Sequence, residues 1–231
     1  MNFESLVKGV LKIDIQAFLA PSKYIDWQTP AVLNQARELR KGLTDEVAIV
    51  RRCFEYVRDE IKHSYDYALN PVTCVASDVL KEKTGFCFAK SHLLAALLRA
   101  NGIPTALLYQ RVSAGEASDA FFWHGLNEVF LTDHGWYRLD ARGIKPSGNP
   151  SGNPSGNPSG KAIAFDGGGL CTPPVEAIPF PPSKVGEVLL KQRWAEPSDT
   201  IVALLETSPD YQQVIRNLLA IEHLDTRAVI E

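Results

Sequence analysis

The strongest constraint on the fold is one long apolar segment, GFCFAKSHLLAALLRANGIPT, which runs from Gly85 to Thr105. Its apolar residues do not form a single stripe at helical spacing but cover most of the circumference of a helix. These residues are Leu93, Leu94, Ala96, Leu97 and Leu98. A helix that is apolar on nearly all sides has to be buried, so we expect it to be the central element, with the rest of the chain packed around it.

Other helical patterns surround this segment. Thr29 is a suitable N-cap for a helix that has Pro30 at its first position and ends at Gly42. The next segment carries apolar residues at steps of three and four from Val47 to Ile61, which predicts an amphipathic helix. We also expect a short helix capped by Ser77 and a last helix near residues 211–223.

After the central helix, three segments rich in β-branched and aromatic residues predict strands. They cover residues 105–112, 121–131 and 135–143, and the sequence TDHG at 132–135 predicts the turn that makes the last two antiparallel neighbours. Helices followed by a run of strands indicate an α+β domain.

The repeat PSGNPSGNPSGNPSG at residues 146–160 contains no apolar residue. Such a segment buries too little surface to offset the entropy of ordering, so we expect a flexible surface loop, with a separate recognition element as the alternative. No second core is evident on either side of it. The sequence therefore predicts one domain over residues 1–231.

Composition excludes several classes of function. The net charge of −3 disfavours nucleic acid and anionic membranes as partners. The N-terminus lacks the pattern of a secretory signal, and no apolar run is long enough to span a membrane, so we expect a cytoplasmic location. The four cysteines form no C-x-x-C pair and the acidic residues no calcium-loop spacing, so we expect free thiols, no metal and no cofactor.

Cys87, at the start of the central helix, is either a small packing residue or a nucleophile. The unsatisfied amides and the dipole of a helix N-terminus stabilise a thiolate. The Cys87 backbone N–H is also the expected donor of an oxyanion hole. Gly85, two residues earlier, allows a sharp chain entry and leaves room for a substrate.

A cysteine nucleophile needs a base, and His124 is the best candidate. It lies within a predicted strand, where an unpaired imidazole is costly, although a buried structural histidine remains the alternative. Asp140, sixteen residues later, lies on the returning strand. If the turn has an odd number of residues centred near Thr132, Asp140 lies opposite His124; a two-residue turn instead pairs His124 with Gly143. With the first register, Asp140 orients His124, and His124 activates the cysteine.

The other four histidines do not fit the role of base. His92 follows Cys87 by five residues, about 140° around a helix axis, and so faces away from the sulfur. His63 follows an amphipathic helix and is interpreted as a helix-end residue that interacts with the last carbonyls. His134 lies in the predicted turn, and His223 has no carboxylate pattern beside it.

Two blocks of sequence, GFCFAKSHLLAALLRANGIPT and WHGLNEVFLTDHGWYRLDARG, resemble the transglutaminase-like superfamily of papain-type cysteine enzymes. The shared pattern is G-x-C at a helix start, L-R-x-x-G-I-P at its end, then H-x-x-x-E-V and a G-W…D hairpin. PSKYIDWQTPAV and FEYVRDEIKHSYDY also resemble bacterial members, so the resemblance covers roughly residues 20–143. It implies a papain-like fold with the central helix packed on an antiparallel sheet.

The resemblance also implies the roles of the candidate residues: Cys87 as nucleophile, His124 as general base and acid, and Asp140 as the orienting carboxylate. The implied chemistry is acyl transfer from an amide through a thioester, with water or an amine as acceptor. We favour hydrolysis of a peptide or isopeptide bond, so the expected partner is a peptide or protein substrate. A departure from the family pattern at Arg142 bears on substrate preference, and Arg142 is a candidate substrate-binding residue.

Phe86 and Trp123, which flank the cysteine and the histidine, are candidate substrate-binding residues together with Gly85. Two other classes of protein remain open from the sequence. One is a domain that keeps the fold but only binds an extended peptide, and the other is an enzyme that uses Cys87, His124 and Asp140 as metal ligands.

Overall fold

The computed structural model describes residues 15–115, 118–142, 182–225 and 229–230. A short 3-10 helix covers Ile15–Leu19. The α-helices are α1 (Pro30–Arg40), α2 (Glu46–Glu60), α3 (Ser64–Tyr67), α4 (Ala76–Glu82), α5 (Cys87–Ala100), α6 (Asp199–Thr207) and α7 (Tyr211–Leu218). The strands are β1 (Lys62–His63), β2 (Thr84–Gly85), β3 (Thr105–Ser113), β4 (Phe121–Leu131), β5 (Gly135–Leu139), β6 (Val188–Leu189), β7 (Arg193–Trp194) and β8 (Val229–Ile230).

Helix α5 is the central element, as its apolar circumference predicts. Every residue from Cys87 to Arg99 is buried. Arg99 avoids an unpaired buried charge because its guanidinium donates to the backbone carbonyls of Ala20, Thr105 and Ala195 at 2.7–3.1 Å. These bonds tie the C-terminal end of α5 to two distant parts of the chain, at Ala20 and Ala195, and to the start of β3.

The main sheet has the strand order β5–β4–β3–β7–β8, with β6 paired to β3, and its strands are antiparallel. Helix α5 packs on β3 and β4, where the side-chain amide of Asn127 donates to the carbonyls of Ser91 on α5 and Ala106 on β3. The predicted α+β class, the three strands and the antiparallel β4–β5 pair are confirmed.

A second, very short ladder lies at the start of α5. Strands β1 and β2 pair in parallel and place His63 beside Gly85. This pairing brings the segment that follows α2 directly to the residues that precede Cys87. The sequence did not predict it, because two-residue strands carry no periodicity.

The predicted helices before α5 are present, with some changes at their ends. Helix α4 begins at Ala76, with Val75 and not Ser77 at its N-cap, because the Ser77 backbone N–H donates to the Asp26 carboxylate instead. The last predicted helix, α7, ends at Leu218 and not at residue 223. Helix α6 was not predicted at all.

Several predictions fall on residues that the structure does not describe. The repeat at 146–160 and Cys171 lie outside the described residues, and the prediction of one domain over residues 1–231 stays a prediction. Within the residues that are described, no helix is long and apolar enough to cross a membrane.

Candidate active site

Cys87 is the first residue of α5 and lies where the helix meets strand β4. Its side chain is 6% exposed, and the backbone N–H of Gly125 donates to its Sγ at 3.5 Å. The amides of the first helical turn have no acceptor within the helix itself. These donors and the helix dipole favour negative charge on the sulfur, so the placement suits a thiolate.

Gly125 allows β4 to come this close to α5. A Cβ built on Gly125 would lie 2.7 Å from Cδ1 of Phe88 and 3.1 Å from its Cα. No side chain fits in that space without moving the helix and the strand apart. Any other residue at this position would therefore move the sulfur away from the strand that carries His124.

His124 and Asp140 are in direct contact. His124 Nε2 donates to Oδ2 of Asp140 at 2.5 Å, and both side chains are almost completely buried. The contact predicted from the sequence is therefore present. Because Nε2 faces the carboxylate, the other ring nitrogen, Nδ1, is available to the Cys87 sulfur, with which His124 also forms a hydrogen bond.

The hairpin register by which we predicted this contact is wrong. Strands β4 and β5 pair Leu131 with Gly135 and Asn127 with Leu139, so the turn has three residues and is centred on Asp133, not Thr132. Gly135 has φ +70°, the left-handed conformation that commonly closes a three-residue hairpin turn.

The same register, continued past the last pair, would place Arg142 opposite His124. The ladder ends at Leu139, however, and Asp140 reaches His124 as a diagonal neighbour on the same face. The backbone N–H of Arg142 donates to the other carboxylate oxygen, Oδ1, at 2.8 Å and fixes its orientation.

The charges around His124 favour its protonated form. Burial lowers the pKa of His124, but the negative charges of Asp140 and Cys87, and the hydrogen bonds that the ring donates to both, outweigh burial and raise it to about 10. The raised pKa favours a protonated ring between the two groups. The arrangement can hold an imidazolium beside a thiolate, and the imidazolium can later give its proton to a leaving group.

His63 is the site residue that the sequence reasoning interpreted wrongly. It does not cap the carbonyls at the end of α2; its Nε2 accepts a hydrogen bond from the Cys87 backbone N–H at 3.2 Å. Strand β1 carries it there, and its ring packs edge-on against Phe86. The signal in the sequence was Asp66, three residues later, whose carboxylate lies 3.7 Å from Nδ1 of His63.

Asp66 connects His63 to Arg142. The Arg142 guanidinium donates to Oδ1 of Asp66 at 3.1 Å, and both side chains are largely buried. The Arg142 backbone N–H also donates to Asp140. Arg142 therefore contacts both carboxylates that face the histidines, Asp66 beside His63 and Asp140 beside His124.

Lys90, one turn after Cys87, is a buried charge that the sequence analysis passed over. Its Nζ donates to the carbonyls of Ile61 at 2.6 Å and Arg58 at 3.3 Å, at the C-terminal end of α2. Burial lowers the pKa of Lys90 to about 7, against the attraction of Asp140. The available signal was a lysine in the first turn of a helix whose apolar residues cover most of its circumference.

The four predicted substrate-binding residues are mostly covered by protein. The space beside Gly85 is filled by Ala89 and Thr73, at 3.0 and 3.1 Å from a Cβ built there. Phe86 and Trp123 are buried, and the Arg142 side chain pairs with Asp66. Their roles in substrate binding stay predictions.

The remaining histidines lie away from the cysteine or at the surface. His92 Nδ1 contacts the carbonyl of Cys74 at 2.8 Å, and His134 and His223 are exposed. Within the described parts of the chain, no group of three or more His, Cys, Asp or Glu residues is placed to hold a metal ion.

The family model of the transglutaminase-like superfamily matches residues 34–141, somewhat less than half of the chain. This stretch contains the three residues of the predicted triad. The predicted resemblance to that superfamily is confirmed over this range. No curated protein sequence matches the chain at a significant level.

Solved structures of similar shape include a proposed cysteine protease from Cytophaga hutchinsonii, at 22% identity and a TM-score of 0.47 over 57% of this chain and 43% of that one. The periplasmic domain of TgpA from Pseudomonas aeruginosa matches at 22% identity and a TM-score of 0.44, over 56% of this chain and 48% of that one. Red sea bream transglutaminase matches at 18% identity and a TM-score of 0.39, over 61% of this chain and 27% of that one. The chain thus spans less than half of the length of each of these structures.

Proposed function

We propose that this chain, whose residues 34–141 match the transglutaminase-like superfamily, is a cysteine-dependent enzyme that cleaves an amide bond through a thioester on Cys87. The observation that carries the proposal is the contiguous set of Cys87, His124 and Asp140. The sulfur lies at a helix N-terminus, His124 bonds to it, and the Asp140 carboxylate holds the opposite nitrogen at 2.5 Å. Packing alone does not require three buried polar groups in this order.

The resting state we propose is a thiolate beside an imidazolium. Attack of Sγ on the carbonyl carbon of the amide forms a C–S bond and moves the carbonyl electron pair to oxygen. The proton on His124 then goes to the amide nitrogen as the C–N bond breaks, which releases an amine and leaves a thioester. Asp140 keeps the ring oriented and stabilises its positive charge throughout.

The second half of the reaction uses the now neutral His124 as a base. It takes a proton from the acceptor, whose oxygen or nitrogen attacks the thioester carbon, and the C–S bond breaks to restore the thiolate. We take water as the acceptor and a peptide or protein as the substrate. A primary amine as acceptor, which would make the enzyme an acyltransferase, is the alternative within the same chemistry.

A cytoplasmic location remains part of the proposal.

The decisive experiment is intact-mass spectrometry after brief incubation with an activated acyl donor, a p-nitrophenyl ester of an N-acylated amino acid. We expect one acyl group on the wild-type protein, located on Cys87 by peptide mapping and removed by neutral hydroxylamine. The variant Cys87→Ala should show no adduct, and His124→Asn should form it about 10²- to 10⁴-fold more slowly, the usual contribution of a general acid or base.

The fate of the acyl group identifies the acceptor. Return to the unmodified mass with release of the free acid supports hydrolysis, whereas transfer to added methylamine in preference to water supports the acyltransferase alternative. Equal acylation of wild type and Cys87→Ala, or no acylation of the wild type, would refute the proposed chemistry and leave a peptide-binding domain of the same fold.

A further inference from the structure

Asp140 lies beyond the part of the β4–β5 hairpin that strand pairing holds in place. The ladder ends with the pair of Asn127 and Leu139, and Asp140 follows directly after it. The carboxylate still needs a defined position, because Oδ2 has to face Nε2 of His124 to keep the ring oriented. A contact outside the ladder therefore has to fix the segment that carries this carboxylate.

Arg142 supplies that contact with two separate groups. Its backbone N–H donates at 2.8 Å to Oδ1 of Asp140, the oxygen that does not face His124. Its guanidinium donates at 3.1 Å to Oδ1 of Asp66 on α3, and the two side chains are only 10% and 8% exposed. Water and salt screen a covered ion pair much less than one at the surface, so this pair can serve as an anchor.

Asp66 is a suitable anchor because it belongs to the same part of the fold as the nucleophile. Helix α3 follows β1, and the parallel pairing of β1 with β2 places His63 beside Gly85. Strand β2 ends two residues before Cys87. The ion pair from Arg142 therefore fastens the segment after β5 to the region that positions the sulfur.

We propose that Arg142 is a positioning residue of the proposed reaction and not a substrate-binding residue. Anchored on Asp66, it holds its own backbone N–H against Asp140 and so keeps that carboxylate on His124. Substrate binding by the guanidinium would first require a covered ion pair to break, which is costly. The inference rests on the proposed function, because the orientation of His124 matters for catalysis only if His124 serves Cys87.

The positive charge of Arg142 allows positioning to be distinguished from a direct charge effect by sign. Removal of a positive charge near His124 favours the imidazolium, so by itself it raises the pKa of His124 or leaves it unchanged. Loss of positioning takes the Asp140 carboxylate away from the ring and lowers that pKa. A fall in the pKa of His124 in an uncharged variant of Arg142 therefore reports positioning.

Two groups on α5 also affect these charges. The Cys87 sulfur faces the His124 ring and favours its charged form, and it is the same in every variant. Lys90 interacts with both Arg142, which lowers its pKa, and Asp140, which raises it. Without Arg142, Lys90 would keep its proton to higher pH and could itself lower the pKa of His124. Each titration is therefore done in the wild-type and in the Lys90→Met background.

The test is an NMR pH titration of the protein labelled with ¹⁵N-histidine, with the His124 signals identified by their loss in His124→Asn. In the wild type we expect both ring nitrogens to stay protonated above the usual range of histidine. In Arg142→Met the midpoint should fall by roughly 1–3 pH units, the usual effect of one close charge, in both backgrounds. Arg138→Met is the matched control, because it removes an arginine of β5 that pairs with Glu128, and it should not lower the midpoint.

Two further variants at the same position complete the series. Arg142→Lys keeps an ion pair with Asp66 and should restore most of the midpoint. Arg142→Gln is uncharged but polar, so it carries the test if Arg142→Met folds poorly. Its midpoint should also fall, by less than in Arg142→Met, because its amide can still donate to Asp66.

Acylation of Cys87 by the activated ester separates positioning from substrate binding. We expect Arg142→Met to acylate about 10- to 10²-fold more slowly at saturating ester, with little change in the half-saturating ester concentration, because a misplaced catalytic group lowers the rate of the chemical step.

An unchanged or raised His124 midpoint in Arg142→Met and Arg142→Gln would overturn the inference, and so would a fall that disappears in the Lys90→Met background. A higher half-saturating ester concentration together with an unchanged titration would also overturn it, in favour of substrate binding by Arg142. A wild-type protein that never acylates would refute the proposed function instead, and the titration would still decide whether Arg142 holds Asp140 on His124.

Discussion

Replacing Gly125 by alanine tests the close approach of β4 to α5 that brings His124 to Cys87. The added Cβ would lie 2.7 Å from Cδ1 of Phe88, 3.1 Å from its Cα and 3.3 Å from its backbone nitrogen. The Phe88 ring can turn away from the new methyl group, but the helix backbone can do so only if α5 and β4 separate. We therefore expect a loss of both stability and reactivity.

The size of both effects follows from the overlap. Ordinary contact begins at 3.4 Å, so the contact at Cδ1 is short by about 0.7 Å and those at the backbone by about 0.1–0.3 Å. Overpacking of this kind typically costs about 1–3 kcal/mol. For a chain of this length, about 2 kcal/mol lowers the melting temperature by roughly 4–8 °C. A shift of a few tenths of an ångström also lengthens the 3.5 Å contact from the Gly125 N–H to Sγ, and misplacement by 1 Å can cost about 10²-fold in rate.

The measurements are thermal unfolding and the rate of Cys87 alkylation by iodoacetamide at pH 7. Gly115→Ala is the matched control, because a Cβ there meets only the Cβ of Ser118, at 3.9 Å. It reports the gain that any glycine-to-alanine change makes by restricting the unfolded chain, about 0.4–1 kcal/mol. We expect Gly125→Ala to melt several degrees below Gly115→Ala and to alkylate at least about tenfold more slowly. Equal melting temperatures and equal rates would show that the approach of β4 does not position the sulfur.

Three further predictions concern titrating groups. Asp140→Asn removes the negative charge that raises the pKa of His124, so the alkaline limb of the pH–rate profile for the proposed amide cleavage should move to lower pH. An unchanged alkaline limb would contradict the proposed role of Asp140. Burial raises the pKa of Cys53 and Cys74 to about 12, so iodoacetamide at pH 7 should modify Cys87 far faster than either, as peptide mapping after brief labelling would show. Equal labelling of the three cysteines would argue against Cys87 as a nucleophile. Lys90 has its pKa lowered to about 7 in the folded protein and near 10.5 when unfolded, so between these values the unfolded chain binds more protons and the wild type gains stability as pH rises. Lys90→Met lacks this gain, so its free energy of unfolding in urea, relative to that of the wild type, should fall by about 2 kcal/mol from pH 7 to pH 9. The same difference in unfolding free energy at both pH values would refute the lowered pKa of Lys90.

Local patterns in the sequence identify the main helices and strands because each pattern is compatible with only one type of secondary structure. A helix that is apolar on all sides has to be central, and α5 is buried from Cys87 to Arg99. Alternating aromatic and β-branched residues with a turn between them form an antiparallel pair, and β4 and β5 do so. The ends of the helices are less well predicted. Helix α4 is an example, because the Ser77 backbone N–H donates to Asp26, a residue distant in the sequence.

The order of Cys87, His124 and Asp140 in the sequence, together with the family resemblance, predicted that these residues meet. It was not sufficient to predict how they meet. The β4–β5 ladder has a different register from the expected one, and the contact forms because Asp140 lies beyond the end of the ladder and reaches across it diagonally. Register depends on turn geometry and on packing of both faces, and a short turn sequence is compatible with more than one solution.

The surroundings of the sulfur were decided only by the tertiary structure. A histidine at the end of a helix has an ordinary local explanation, and nothing near His63 in the sequence indicates that a two-residue parallel ladder carries it to the Cys87 amide. Helix position, capping and strand alternation are short-range properties that the chain encodes within a few residues. The choice of partner for each buried polar group depends on which distant segments fold against it, because a buried donor has to be satisfied by whichever acceptor the completed fold brings within reach.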